Sequence, residues 1–240
     1  MSTNPQVQER ITSYWDQHAP DYQTFQERRL ADPDYSAAWA RVWRQALPAE
    51  TSSVLDIGTG TGHAALTIAA LGYRVTGLDI APTMISLARD NAAKRGLDIT
   101  FVEGDAVDPA VDGGPFDALV SRYLLWTLPE VDTALTNWKR LLRPGGRLAV
   151  VDAPWHAGGM RHGDTDPRAD AYDEDARQAL ALAEAESIDA WGERIAAAGF
   201  ADVVVTPLTE LFELDGVHGV APDHRRTLQH LVTARRASTR

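Results

Sequence analysis

The 240-residue chain has no cysteine, which removes disulfides, thiolate nucleophiles and Cys-ligated metals together. Basic residues are scarce as well. There are 23 Lys and Arg against 34 Asp and Glu, for a net charge of −11. Nucleic-acid affinity depends on Lys and Arg neutralising phosphates, so no nucleic-acid partner is expected. Long apolar runs are missing too. The start, "MSTNPQVQERITSYWDQHAP", is polar where a secretion signal would be apolar, and no later stretch approaches a membrane span. No membrane partner is expected, and a cytoplasmic location is the default. The His and Asp of "RHGDTD" do not follow a metal-ligand spacing, so no metal is expected either.

What remains is the composition of a globular protein, 44% hydrophobic and 24% charged, with material for one large domain. Short apolar stretches at 51–57, 73–79, 99–102, 116–121 and 147–152 read as buried strands. Helical patterns lie between them. Residues 62–71 are rich in Ala, Leu and Ile; 82–94 and 129–142 each open with proline, and the latter sets Leu135, Trp138 and Leu142 at helical spacing. Strand and helix in alternation mean a parallel sheet. A helix over 187–198, a strand over 202–206 and a last strand within "RTLQHLVTARR" complete the pattern. Residues 1–47 and 154–186 stand outside the rhythm. Trp39, Val42 and Trp43 suggest helices laid over the sheet's end, and "AYDEDARQALALAEAE" reads as an acidic helix after a Gly-containing loop.

One stretch poses a chemical question. "VLDIGTGTG" ends a strand in a carboxylate, Asp56, and then breaks into Gly58, Gly60 and Gly62. A glycine turn between strand and helix lets a nucleotide-like ligand approach the backbone. The dinucleotide pattern G-x-G-x-x-G would place its third glycine one position later, and a pyrophosphate would be repelled by Asp56. A ligand that is cationic or donates hydrogen bonds at that point fits better.

"VLDIGTGTG" resembles the first motif of the class I S-adenosylmethionine-dependent methyltransferases, and the likeness continues down the chain. "VTGLDI" ends in Asp79 where that family holds the ribose hydroxyls. "VEGDA" is similar to the segment whose acid, here Asp105, contacts the adenine amino group. "LLRPGGRLAVVD" looks like the family's turn into its fifth strand. The resemblance implies S-adenosylmethionine as cofactor. Asp56 would orient the amino end, Gly58, Gly60 and Gly62 would pass the methionine part, and Ile80, Met84 and Ala106 would enclose the adenine. "YWDQHAPDY" is similar to a segment of small-molecule methyltransferases in which an aromatic residue covers the cofactor, with Tyr14 and Tyr22 in that place. The implied fold class is α/β, a Rossmann-like, doubly wound, mostly parallel seven-stranded sheet with an N-terminal helical cap and an insertion after strand 5. As one methyltransferase domain the chain divides into cap 1–47, cofactor core 51–152, lid 153–186 and a returning part 187–240.

The acceptor side is read more thinly. Trp126 and Trp155 follow the fourth and fifth strands, where open parallel sheets bind ligands, and Arg122 closes the fourth strand. These three are the candidate substrate-binding residues, and His156 and Tyr14 the candidate catalytic ones. No "DPPY" or "NPPY" run follows strand 4. The expected reaction is in-line methyl transfer to N or O of a small aromatic or heterocyclic metabolite. Two alternatives remain: a non-catalytic S-adenosylmethionine-binding module, and an oxidoreductase with a nucleotide cofactor, which Asp56 and the early third glycine oppose. The sequence is silent on oligomeric state.

Overall fold

The computed structural model describes residues 5–160, 168–220 and 225–238. Seven strands form one sheet: β1 Ser53–Ile57, β2 Arg74–Asp79, β3 Thr100–Glu103, β4 Phe116–Arg122, β5 Leu142–Asp152, β6 Phe200–Pro207 and β7 His230–Arg236. Their order is β3-β2-β1-β4-β5-β7-β6. The first five run parallel, and β7 is antiparallel to both β5 and β6. The chain builds outward from β1 to β3 and then returns to β4. The point of reversal lies between β1 and β4, where an open parallel sheet leaves a crevice beyond its strand ends.

The helices are α1 Pro5–Ala31, α2 Pro33–Ala46, α3 His63–Ala70, α4 Pro82–Lys94, α5 Val131–Leu141, α6 Glu174–Ala179, α7 Asp189–Ala197 and α8 Thr209–His218. On one face of the sheet, Trp39 and Trp43 of α2 pack with Ile68 of α3, Ile85 of α4 and the inward residues Val54 and Val120. On the other, Trp138 of α5 and Trp191 of α7 pack with Leu55, Ile57 and Leu119. Alternation along each strand divides the two layers. The cap is anchored locally. Asp32 accepts from the backbone N–H groups of Asp34 and Tyr35 at 2.9 and 3.2 Å, Pro33 opens α2, and its apolar stripe is buried.

Three elements depart from the sequence reading. The helix expected over 129–142 begins at Val131, because Glu130 adopts a left-handed φ of 49° that no helix can include. The acidic helix expected within 171–186 shrinks to Glu174–Ala179, capped by Asp173. Its remainder turns so that Leu180, Leu182 and Ala183 all reach the core, so tertiary burial overrides alanine-rich propensity. Helix α8 was not anticipated, and it has no side-chain cap that local sequence could have signalled. Among the described residues no helix is long and apolar enough to cross a membrane.

Candidate functional site

The glycine loop joins β1 to α3 at the crevice. Gly58, Gly60 and Gly62 have φ values of 71°, 54° and 91°, a region that side chains rarely tolerate. The loop is pinned from below, since the N–H groups of Gly58 and Thr59 both donate to the carbonyl of Leu78, at 2.8 and 2.9 Å. A Cβ on Gly58 would come within 2.8 Å of Leu124, while one on Gly60 would meet Tyr22 and Met84 at 3.7 and 3.9 Å. The approach to Gly60 is therefore bounded by α1 above and α4 beside it.

Three carboxylates mark this side. Asp56 is fully buried; its Oδ2 accepts from the Thr59 hydroxyl at 2.7 Å and the Ala65 N–H at 3.0 Å, while Oδ1 has no partner. Burial pushes its protonation up to about 6, against those two hydrogen bonds and the charge of Arg122. Asp79 ends β2 and accepts from the N–H of Gly60 at 2.8 Å and of Ala81 at 3.0 Å. Burial raises its pKa, and the backbone donors pull the other way. Each of its oxygens keeps a lone pair for a hydroxyl donor. Asp105 is exposed and accepts from the N–H of Val107 at 2.8 Å. Met84 and Ala106 are buried and Ile80 is half-buried.

The other side is made of rings. Tyr14 stacks on His18 with centroids 4.2 Å apart and meets Tyr172 edge-on at 5.9 Å. Tyr172 stacks on Trp126 at 5.3 Å, and Trp126 lies 5.3 Å from His156. The Tyr172 hydroxyl takes the Trp15 indole N–H at 3.0 Å and shares a 2.6 Å bond with Thr127. Tyr14, Trp126 and His156 thus come together as read from the sequence. Trp155 is tied elsewhere: its indole N–H donates to Asp152 at 2.7 Å and its ring lies edge-on to Tyr123 at 4.9 Å. Asp152, fully buried, also accepts from the Trp191 indole at 3.0 Å and the Ala153 N–H at 3.0 Å. Burial pushes it up to about 6 as well.

Sequence reading missed Trp15 and Tyr172. Trp15 had a signal, because Ile11, Trp15, Ala19 and Tyr22 form one stripe along a helix. Tyr172 sits in an acidic segment and had none. Arg122 is 7% exposed, with Cζ 3.9 Å from the Tyr123 ring centroid and 4.7 Å from that of Trp39. Among the described residues no cluster of three or more His, Asp or Glu could hold a metal; residues 161–167, which carry the whole of "RHGDTD", and His224 lie outside them.

Residues 55–150 match the family model described as "Methyltransferase domain". The chain is 38% identical to the demethylmenaquinone methyltransferase of Thermus thermophilus over 47% of its own length and 54% of that protein's. It is 34% identical to the ubiquinone/menaquinone biosynthesis C-methyltransferase UbiE of Nitrobacter hamburgensis, over 50% and 54% respectively. The chain thus spans about half the length of the curated relatives it matches. Two solved structures share the fold. The [4+2]-cyclase SpnF superposes with a TM-score of 0.60 at 23% identity, over 85% of this chain and 82% of that one. A Haemonchus contortus phosphoethanolamine N-methyltransferase 2, solved with S-adenosylhomocysteine, gives 0.61 at 18%, over 84% and 53%.

Proposed function

We propose that the chain is a class I S-adenosylmethionine-dependent methyltransferase that methylates a carbon atom of a small, hydroxylated aromatic acceptor. The observation that carries the cofactor half is the unpartnered, buried Oδ1 of Asp56 beside three left-handed glycines. A buried acceptor without a donor is rare, and an ammonium meets it. Asp79 takes the ribose hydroxyls, Met84 and Ile80 lie against one side of the adenine, and Ala106 and Asp105 bound the other. Tyr22 covers the ligand from α1.

The acceptor's ring packs among Tyr14, Trp126 and His156, with Trp155 bracing the wall and Arg122 at the junction of the two halves. Flat aromatic surroundings suit a flat acceptor. The sequence led to N or O as the methylated atom; relatives named for demethylmenaquinone and as a C-methyltransferase move the proposal to carbon. Bound S-adenosylmethionine supplies an electrophilic methyl whose departure leaves a neutral thioether. His156 or Tyr14 takes the proton of a ring hydroxyl, and the ring carbon becomes the nucleophile. The C–C bond forms as the S–C bond breaks, and the carbon's own proton then leaves to restore the ring. Cap and lid, 1–47 and 153–186, exclude water during transfer.

Calorimetry with S-adenosylhomocysteine and NADH tests the cofactor, and NADH binding alone would sink the reading. Incubation of a short-chain demethylmenaquinol analogue with cofactor bearing a deuterated methyl tests the rest. A labelled methyl on ring carbon is the expected product. Label on oxygen moves the acceptor atom back, and cofactor binding without turnover of any phenol returns the chain to a non-catalytic module.

A further inference from the structure

Tyr14, His18 and Tyr22 are spaced four apart along α1, so they form one row on its surface, with roughly 6 Å of helix axis between neighbours. The two ends of the row touch different halves of the site. The Tyr22 ring borders Gly60, where a Cβ would meet it at 3.7 Å. Tyr14 meets Tyr172 edge-on at 5.9 Å, and Tyr172 stacks on Trp126. His18, in the middle of the row, stands where the glycine-loop half passes into the aromatic half.

The His18 ring is held from two directions. It stacks on Tyr14 with centroids 4.2 Å apart and planes 25° apart, and its Nδ1 lies 2.8 Å from the Tyr14 carbonyl oxygen. A carbonyl only accepts, so Nδ1 is the protonated nitrogen of the neutral ring and Nε2 carries the lone pair. Nε2 forms no hydrogen bond with a described residue, and the side chain is half-buried rather than sealed. Other described histidines are placed differently: His63 is 2% exposed with Trp39 edge-on at 5.2 Å, His218 meets Asp32 at 3.3 Å, and His230 lies in β7.

Methylation of a ring carbon involves two proton transfers. The hydroxyl proton leaves first, to His156 or Tyr14. Once the C–C bond has formed, the carbon holds both the new methyl and its original hydrogen in a ring that has lost its aromaticity, and that hydrogen needs a second base. We propose that Nε2 of His18 takes this second proton. The inference rests on the carbon-methylation reading, which supplies the proton. The methyl arrives from the glycine-loop side, so the carbon that receives it faces the junction where His18 stands, whereas His156 lies within the aromatic half, 5.3 Å from Trp126. The C–H bond breaks, its electron pair restores the aromatic ring, and the proton passes to Nε2; the imidazolium then gives it up to water. The Nδ1–H bond to the helix carbonyl fixes the tautomer beforehand and supports the charge while it is there.

A short-chain demethylmenaquinol analogue, with hydrogen or deuterium on the ring carbon to be methylated, is turned over by the wild type and by His18→Asn, whose amide keeps a donor for the Tyr14 carbonyl and lacks the second nitrogen. Turnover of the variant is expected to fall about 100- to 1,000-fold, deuterium to slow it more than it slows the wild type, and added imidazole to restore part of the loss. S-adenosylhomocysteine affinity by calorimetry is expected to match the wild type. A variant that turns over as the wild type does overturns the proposal. So does a slow variant with the wild-type response to deuterium and no gain from imidazole, which is the mark of a packing defect. A wild type that binds S-adenosylhomocysteine yet leaves the ring carbon unmethylated defeats the carbon reading, and the proposal falls with it. If His18→Asn does not fold, His18→Gln decides by the same measurements.

Discussion

Asp56, beside the glycine loop, and Asp152, behind the aromatic cluster, are both fully buried carboxylates pushed up to about 6 by burial. They differ in what is left over. Asp152 spends both oxygens on fixed donors, the indoles of Trp155 and Trp191 and the N–H of Ala153, so it is a closed knot that sets where rings lie. Asp56 keeps Oδ1 open. One half of the site is therefore closed by the chain itself, whereas the other keeps a buried acceptor free. Its glycine loop is backbone poised for contact, whereas the aromatic half is side-chain packing.

The largest break in that contrast comes from Asp152→Ala, which strands two indole N–H groups and a backbone donor in the core. We expect a stability loss of about 3–5 kcal/mol by chemical denaturation, with S-adenosylhomocysteine affinity of the folded fraction unchanged. Comparable loss of affinity would show that the two halves are not separate.

The next effect is in pH. Both acids bind protons more tightly folded than unfolded, where the ordinary value is 3.8. Between roughly pH 4 and 6 the folded state therefore holds extra protons, and each acid's contribution falls as pH rises through that window, by about 3 kcal/mol at most, staying flat above it. Saturating S-adenosylhomocysteine should remove the share of Asp56, whose ionised form gains an ammonium, and leave that of Asp152. Denaturation midpoints at pH 4.5 and 7, with and without ligand, measure this. An unchanged slope would mean that Asp56 does not meet the ligand.

Asp79→Ala is expected to weaken cofactor binding by about 1–3 kcal/mol, because a charged acceptor for hydroxyls disappears and the Gly60 N–H loses its partner. Unfolding with normal affinity in the folded remainder would make Asp79 structural. The smallest effect belongs to Trp155→Phe, which removes one indole donor from Asp152 and should cost about 1 kcal/mol of stability and a few-fold in turnover. Its S-adenosylhomocysteine affinity should match the wild type, and a shift there would place Trp155 on the cofactor side.

The same contrast explains what could be read in advance. The glycine-loop half depends on residues close in sequence, a strand, a glycine turn and a helix start, so "VLDIGTGTG" carries its own geometry. The sheet was legible for a like reason, since strands β1 to β5 are separate apolar runs. The aromatic half depends on contacts across the chain, Trp15 to Tyr172 and Trp191 to Asp152, and no local spacing encodes them. Helix α8 and the shortened α6 belong to the same class, because packing rather than capping or propensity sets them.

Helix α4 begins without a cap of its own: Ala81 offers no side chain, and the carboxylate of Asp16, from α1, accepts the Thr83 N–H at 2.8 Å in its place. A cap is worth about 1 kcal/mol, so this contact favours the docked position of α1 by about a factor of five. Pro20 weakens the same turn of α1, because it has no N–H to give the carbonyl of Asp16. Any displacement of α1 from α4 would therefore uncap the helix that carries Met84 and break the buried Gln23–Asn91 hydrogen bonds with it.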